Sequence, residues 1–306
     1  MFLQLLLLLQ ISRVTLITST SPLLQVKPGC QANCGNFAVT YPFGIGPKEN
    51  GCSLTGDGSL FYNITCDTSY HPPKPFLLLG GNDTSSKNNM VELISVSETE
   101  VRVRILPSTV CYQYKTGEIT LGNSLYYMSM ARTPFTVSST KNKLFGLGCY
   151  STAFLLDSNG NYTTSCTTKC ETRENIVDGI CYGEGCCQAE LPKGIKWFKG
   201  MVDSLDRKSE SISYSPCSSA FICESDMYKF KATDLEGTSF LTKGRDVPVV
   251  LDWAIGNKTC KEAQRDLSTF ACQKNSKCRN SDKVPGYICI CNTGFAGNPY
   301  LSLGCQ

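Results

Sequence analysis

The 306-residue chain holds a single histidine, His71, and almost no net charge: 29 lysines and arginines against 26 acids give +3. So small a charge creates no long-range field to gather nucleic acid or an anionic surface, and any face that binds acidic groups must be local. One histidine in a proline loop, with no Gly-x-Ser-x-Gly elbow, makes a Ser–His–acid centre improbable. Well-separated Cys-x2-Cys pairs are absent as well, so no metal and no cofactor is expected. Beyond the extreme N-terminus, no segment approaches the roughly 18 unbroken apolar residues of a membrane-spanning helix. The mature chain is therefore expected to contain none.

What the sequence has in excess is cysteine. Nineteen of them point to an oxidising compartment and to several small cores stapled by disulfides, with room for two or three domains. The N-terminus fits export: Phe2 to Ile11 is an apolar run of about ten residues, the length of a signal-peptide core. Cleavage near Thr18 to Ser21 makes 1–21 a signal peptide. Arg13 lies behind the run and no basic residue precedes it, which leaves a retained signal anchor as the alternative. Removing Arg13 lowers the formal charge from +3 to +2. Four Asn-x-Ser/Thr sequons, at Asn63, Asn82, Asn161 and Asn257, lie in polar, turn-like surroundings that suit glycosylation of a secreted protein.

Taken in order, Cys30 to Ile45 (CQANCGNFAVTYPFGI) reads as a covalently anchored strand with Phe37, Val39 and Tyr41 alternating, ended by Pro42 and Gly44. His71-Pro-Pro-Lys-Pro is a rigid extended loop. The clearest hairpin follows: Val91, Leu93, Val96 and then Val101, Val103, Ile105 are apolar, with Arg102 and Arg104 together on the other face. Further on come Cys166-x3-Cys170 and CYGEGCCQAELPKGI, in which adjacent Cys186 and Cys187 must each reach a different partner. Trp253 reads as a core or interdomain packing residue. Last, Cys260, Cys272, Cys278, Cys289, Cys291 and Cys305 form a six-cysteine unit that looks like an EGF-like module, although spacing alone permits fifteen connectivities.

The words CGN, YPFGIG and Cys52 resemble the galacturonan-binding domain of plant wall-associated receptor kinases. GEGCCQ, CSSAF and VPVVLDWAIGNKTC resemble the cysteine-rich domain that follows it in that family, and GFAGNPYL closes the EGF-like end. The resemblance implies a mainly β, disulfide-rich chain of small β domains in tandem: galacturonan binding at 26–132, a wall-associated-kinase-type cysteine-rich domain at 133–256, and an EGF-like module at 257–306. It also implies the pairs Cys260–Cys278, Cys272–Cys289 and Cys291–Cys305. Asn257-Lys-Thr stands where calcium-binding modules carry acids, so no calcium is expected there. The family would continue into a second EGF module, a membrane helix and a kinase, whereas this chain stops at Gln306. No kinase motif occurs, so kinase activity is not carried over.

The expected function is non-catalytic binding of pectin, an acidic cell-wall polysaccharide, outside the cell. A pair of guanidinium groups about 6 to 7 Å apart on one strand face suits successive carboxylates, which makes Arg102 and Arg104 candidates, with Lys74 and Lys48 as weaker ones. The bland reading of the same alternation is a solvated strand face. Alternative functions are a protein-interaction or decoy module acting through the EGF-like end, and a carboxylate-based glycosidase. Because nineteen is odd, at least one thiol of a monomer is unpaired. Cys223, an addition to the family's CSSAF stretch, is the candidate: a buried apolar residue on a strand with Phe221, or an exposed thiol that crosslinks two chains.

Overall fold

Alternation of apolar and polar side chains builds the largest sheet. In the hairpin of Met90–Val96 and Glu100–Ile105, Val91, Leu93, Val101, Val103 and Ile105 are buried, while Glu92, Arg102 and Arg104 occupy the opposite face. A register shift between Leu93 and Ser95 turns Ile94 outward and still sets Val96 opposite Val101. The computed structural model describes residues 25–55, 61–80, 90–122, 126–237, 240 and 247–306. The signal peptide expected at 1–21 and the sequon at Asn82 lie outside them.

The chain is mainly β, with nine disulfides. Six antiparallel strands form the first sheet, in the order Thr136–Val137, Val247–Asp252, Glu100–Ile105, Met90–Val96, Lys74–Leu78, Ile64–Asp67. A five-stranded sheet runs Cys186–Glu190, Asn142–Leu147, Cys217–Glu224, Ser108–Tyr112, Ile119–Leu121. A four-stranded sheet runs Tyr162–Thr167, Ser151–Leu156, Trp197–Ser204, Tyr126–Ser129.

The five-stranded sheet is covered on both faces. Leu144, Ala220 and Ile222 enter the main core, whereas Phe145, Phe221 and Cys223 enter a second one with Phe230, Leu235 and Phe240. This explains why LFGL and AFIC are continuous apolar runs rather than alternating ones. Gly146 is required where the layers close: a Cβ there would lie 2.8 Å from Cys187 Sγ and 2.9 Å from the Ala153 methyl. The Cys166–Cys187 disulfide takes that space.

Strand pairing crosses the segment boundary drawn at 132. Val247–Asp252 pairs with Glu100–Ile105 over its whole length, and Cys111 is disulfide-bonded to Cys217 directly across from it. The physical reason is visible in VPVVLD. Val249, Val250 and Leu251 are completely buried, so both faces of that strand need cover: Val249 and Leu251 enter the main core, while Val250 lies beside Arg102 on the other face, where Asn142 and Glu224 of the five-stranded sheet meet it.

Trp253, just beyond this strand, is the hub. It is 1% exposed and packs edge-on against Phe43 and Tyr62, with Tyr300 of the C-terminal unit on another side. Its indole N–H donates to the Ser97 carbonyl. The C-terminal unit is docked to the rest by further bonds. Ile255 and Tyr287 exchange backbone hydrogen bonds, and buried Asn298 donates to the Tyr41 carbonyl at 2.7 Å.

Candidate functional site

The outward face of the six-stranded sheet carries the sequence-predicted cations. Lys74 stands on one strand, Arg104 on another, and Glu92 on the strand between them. Pairing sets Glu92 directly opposite Arg104 and opposite Phe76, which leaves Lys74 on the diagonal. Glu92 Oε2 therefore accepts from Lys74 Nζ at 2.9 Å and lies 3.5 Å from Arg104 Nε. Both cations keep about a third of their side-chain surface open, Lys74 37% and Arg104 34%.

Beside them is an aromatic ring that charge counting overlooked. Tyr70 is 43% exposed, its ring centroid is 5.0 Å from Lys74 Nζ, and it packs on Phe76 at 6.0 Å. The signal was an aromatic residue immediately before the proline loop, in SYHPPKP. An open aromatic face flanked by cations can stack on a sugar ring while pairing with its acid group.

Arg102 shares the face but has different work. Its Nε and Nη2 donate to the two carboxylate oxygens of Glu224 at 2.8 and 2.6 Å, and Glu100 lies 3.7 Å away. The Glu224 hydrogen bond pushes the guanidinium above its ordinary pKa. Arg102 thus clamps the six-stranded sheet to the five-stranded one, and its fork is already filled by a carboxylate. Arg102 and Arg104 do not form one pair. Lys48 begins the short 3-10 turn Lys48–Asn50, and its side chain lies outside the described residues.

The remaining sequence-predicted residues fall as follows. Cys260–Cys278, Cys272–Cys289 and Cys291–Cys305 are bonded. Cys186 and Cys187 reach Cys181 and Cys166. Cys223 is free and buried, and burial together with the Glu224 charge pushes its thiol up to about 12. Asn161 and Asn257 are exposed, whereas Asn63 is half-buried with its amide nitrogen best directed at the Gly44 and Gly46 carbonyls. His71 is exposed. Among the described residues, no group of three or more acids, histidines or cysteines is placed to hold a metal ion, and no helix is long and apolar enough to cross a membrane.

Residues 30–105, which include every member of the Lys74 platform, match the family model described as wall-associated receptor kinase galacturonan-binding. Residues 178–261 match the wall-associated kinase model. The chain belongs to the wall-associated receptor kinase ectodomains. Wall-associated receptor kinase 2 of Arabidopsis thaliana is 36% identical over 291 residues, covering 92% of this chain and 35% of the relative. Wall-associated receptor kinase 1 of the same plant is 34% identical over 289 residues, with the same coverage of 92% and 35%. The chain thus spans about a third of the length of these curated relatives, 35% in both. No solved structure matches it. In this ectodomain the two matched regions are not separate bodies, because the strand Val247–Asp252 of the second pairs with Glu100–Ile105 of the first.

Proposed function

We propose that this protein is an extracellular, non-catalytic module that binds de-esterified pectin or its oligogalacturonide fragments. The observation that carries the reading is the open platform of Tyr70, Lys74 and Arg104 within the galacturonan-binding match. The ligand's carboxylates pair with the two cations and a sugar ring lies on Tyr70. Arg102, on the same face, is held by Glu224.

The test is retention on immobilised polygalacturonate, repeated with methyl-esterified pectin and across a salt series. Retention is expected on the first and not the second, and it should fall with salt because exposed charges are screened over about 8 Å at physiological ionic strength. Lys74→Gln/Arg104→Gln should weaken it and Tyr70→Ala should weaken it independently of salt. Salt-independent retention would remove the cations from the reading. Release of product would favour the glycosidase alternative instead. A second reading, protein recognition through the C-terminal unit, is favoured by exposed Leu267 at 78%, Leu303 at 55% and Phe295 at 44%. A protein that ignores every pectin preparation would favour that one.

A further inference from the structure

Glu92 is an odd residue to find at the centre of a surface built for acids. It rises from the middle strand between the two candidate cations, and its carboxylate is shared by Lys74 at 2.9 Å and Arg104 at 3.5 Å. It is the least exposed of the three, with 18% of its side chain open against 37% and 34%. A carboxylate so placed does two things. It draws the flexible lysine down onto the sheet, within 5.0 Å of the Tyr70 ring, and it occupies the cations that an incoming acid group needs.

Asp67 stands opposite Lys74 on the outer strand, and its carboxylate accepts the Ser69 N–H at 2.9 Å. On the inner side Pro248 lies opposite Arg104, and Arg102 is engaged by Glu224. Among the described residues, the Glu92 carboxylate contacts both cations of the platform.

We propose that Glu92 is a built-in competitor of the ligand: a stand-in carboxylate that sets the affinity of the platform and its selectivity among polyanions. The inference rests on the pectin-binding reading of this face. A ligand carboxylate displaces Glu92 from Lys74 or Arg104, or binds while repelled by it. Like charges about 4 Å apart in water repel enough to weaken binding by about fivefold, and more where water is excluded. An isolated carboxylate gains little by such an exchange. A polymer that also stacks a ring on Tyr70 gains a contact that simple polyanions lack, so Glu92 filters against charge alone.

The test is a charge cycle at Lys74 and Glu92, measured on polygalacturonate and on poly-glutamate, with a thermal melt of each variant as the folding control. Glu92→Gln adds one net positive charge and should tighten polygalacturonate binding by about fivefold and poly-glutamate binding by more. Lys74→Gln removes one positive charge and should weaken both. The double variant Lys74→Gln/Glu92→Gln restores the wild-type charge count, and its binding should recover most of what the single lysine change lost. If Glu92→Gln lowers the melting temperature, Glu92→Ala and the double variant still decide, since the recovery does not depend on the single variant. Wild-type retention on polygalacturonate with no tightening in Glu92→Gln and no recovery in the double variant overturns the role of Glu92 alone. Failure of all four proteins to bind polygalacturonate overturns the pectin reading and this inference with it.

Discussion

Arg102 and Glu224 meet across 122 positions of sequence in a two-pronged ion pair at 2.8 and 2.6 Å. The pair joins the six-stranded sheet to the five-stranded one, and Glu100 extends it to Lys283 of the C-terminal unit. Two arginines that alternate on one strand therefore have different partners: Arg102 joins two sheets through Glu224, and Arg104 stands beside Glu92 at the proposed ligand face.

The first prediction separates them. Arg102→Gln leaves the Glu224 carboxylate, which is only 12% exposed, without its partner. Stability should fall by about 2 kcal/mol, as for lost hydrogen bonds to charged groups. Arg102→Gln/Glu224→Gln should recover part of the loss. Arg104→Gln should change polygalacturonate binding more than stability. Chemical denaturation of the three variants checks this, and an unaltered midpoint in Arg102→Gln would contradict it.

Acid should loosen the docking of the C-terminal unit. Burial opposes ionisation of Glu100, but the hydrogen bond and charge of Lys283, with Lys141 and Arg102, outweigh it and hold the carboxyl below its ordinary 4.5. A carboxylate lowered on folding stabilises the native state above that value and loses the contribution as it protonates below it. Burial lowers Lys283, but the hydrogen bonds and charges of Glu100 and Asp252 outweigh it and raise it, so the lysine stays charged throughout the acid range and the pair is lost only as its carboxylates protonate. Melting temperature should therefore drop as pH falls below about 4.5. Lys283→Met should lower it at neutral pH by a few degrees, about 2 to 4 °C per kcal/mol lost, and should flatten the acid limb. A variant whose acid limb matches wild type would rule out this salt bridge as its source.

Cys223 should be silent in the native protein. Its thiol is buried and pushed up to about 12, so a thiolate reagent at mildly alkaline pH should label no site until the chain unfolds, and then one per monomer. Cys223→Ser buries a hydroxyl in its place and should cost about 1 to 3 kcal/mol. A dimer on non-reducing electrophoresis that vanishes in Cys223→Ser would show the thiol to be accessible and overturn the prediction.

The Cys111–Cys217 bridge should matter most among the crosslinks, because its partners lie 106 residues apart. Constraining so long a loop in the unfolded chain contributes about 2 to 5 kcal/mol. Cys111→Ala/Cys217→Ala should shift the denaturation midpoint accordingly while leaving the outward face of the six-stranded sheet able to bind. An unshifted midpoint would mean that other bridges already confine the unfolded chain.

Much of this ectodomain was legible in one dimension. Nineteen cysteines required crosslinked cores and an unpaired thiol, and the alternation from Val91 to Ile105 required a hairpin with one apolar face. These features depend on composition and on a period of two residues, which a sequence displays directly. What covers each face was decided only in three dimensions. Nothing local to VRVRI states that Glu224 will fill the fork of Arg102 and that Glu92 will sit between Arg104 and Lys74. Nor does VPVVLD announce that it will pair with Glu100–Ile105, far earlier in the chain, until its two apolar faces are matched with two layers. Charge pairing and burial act through space and fall off within a few ångströms, so partners distant in sequence are settled by the packed fold alone.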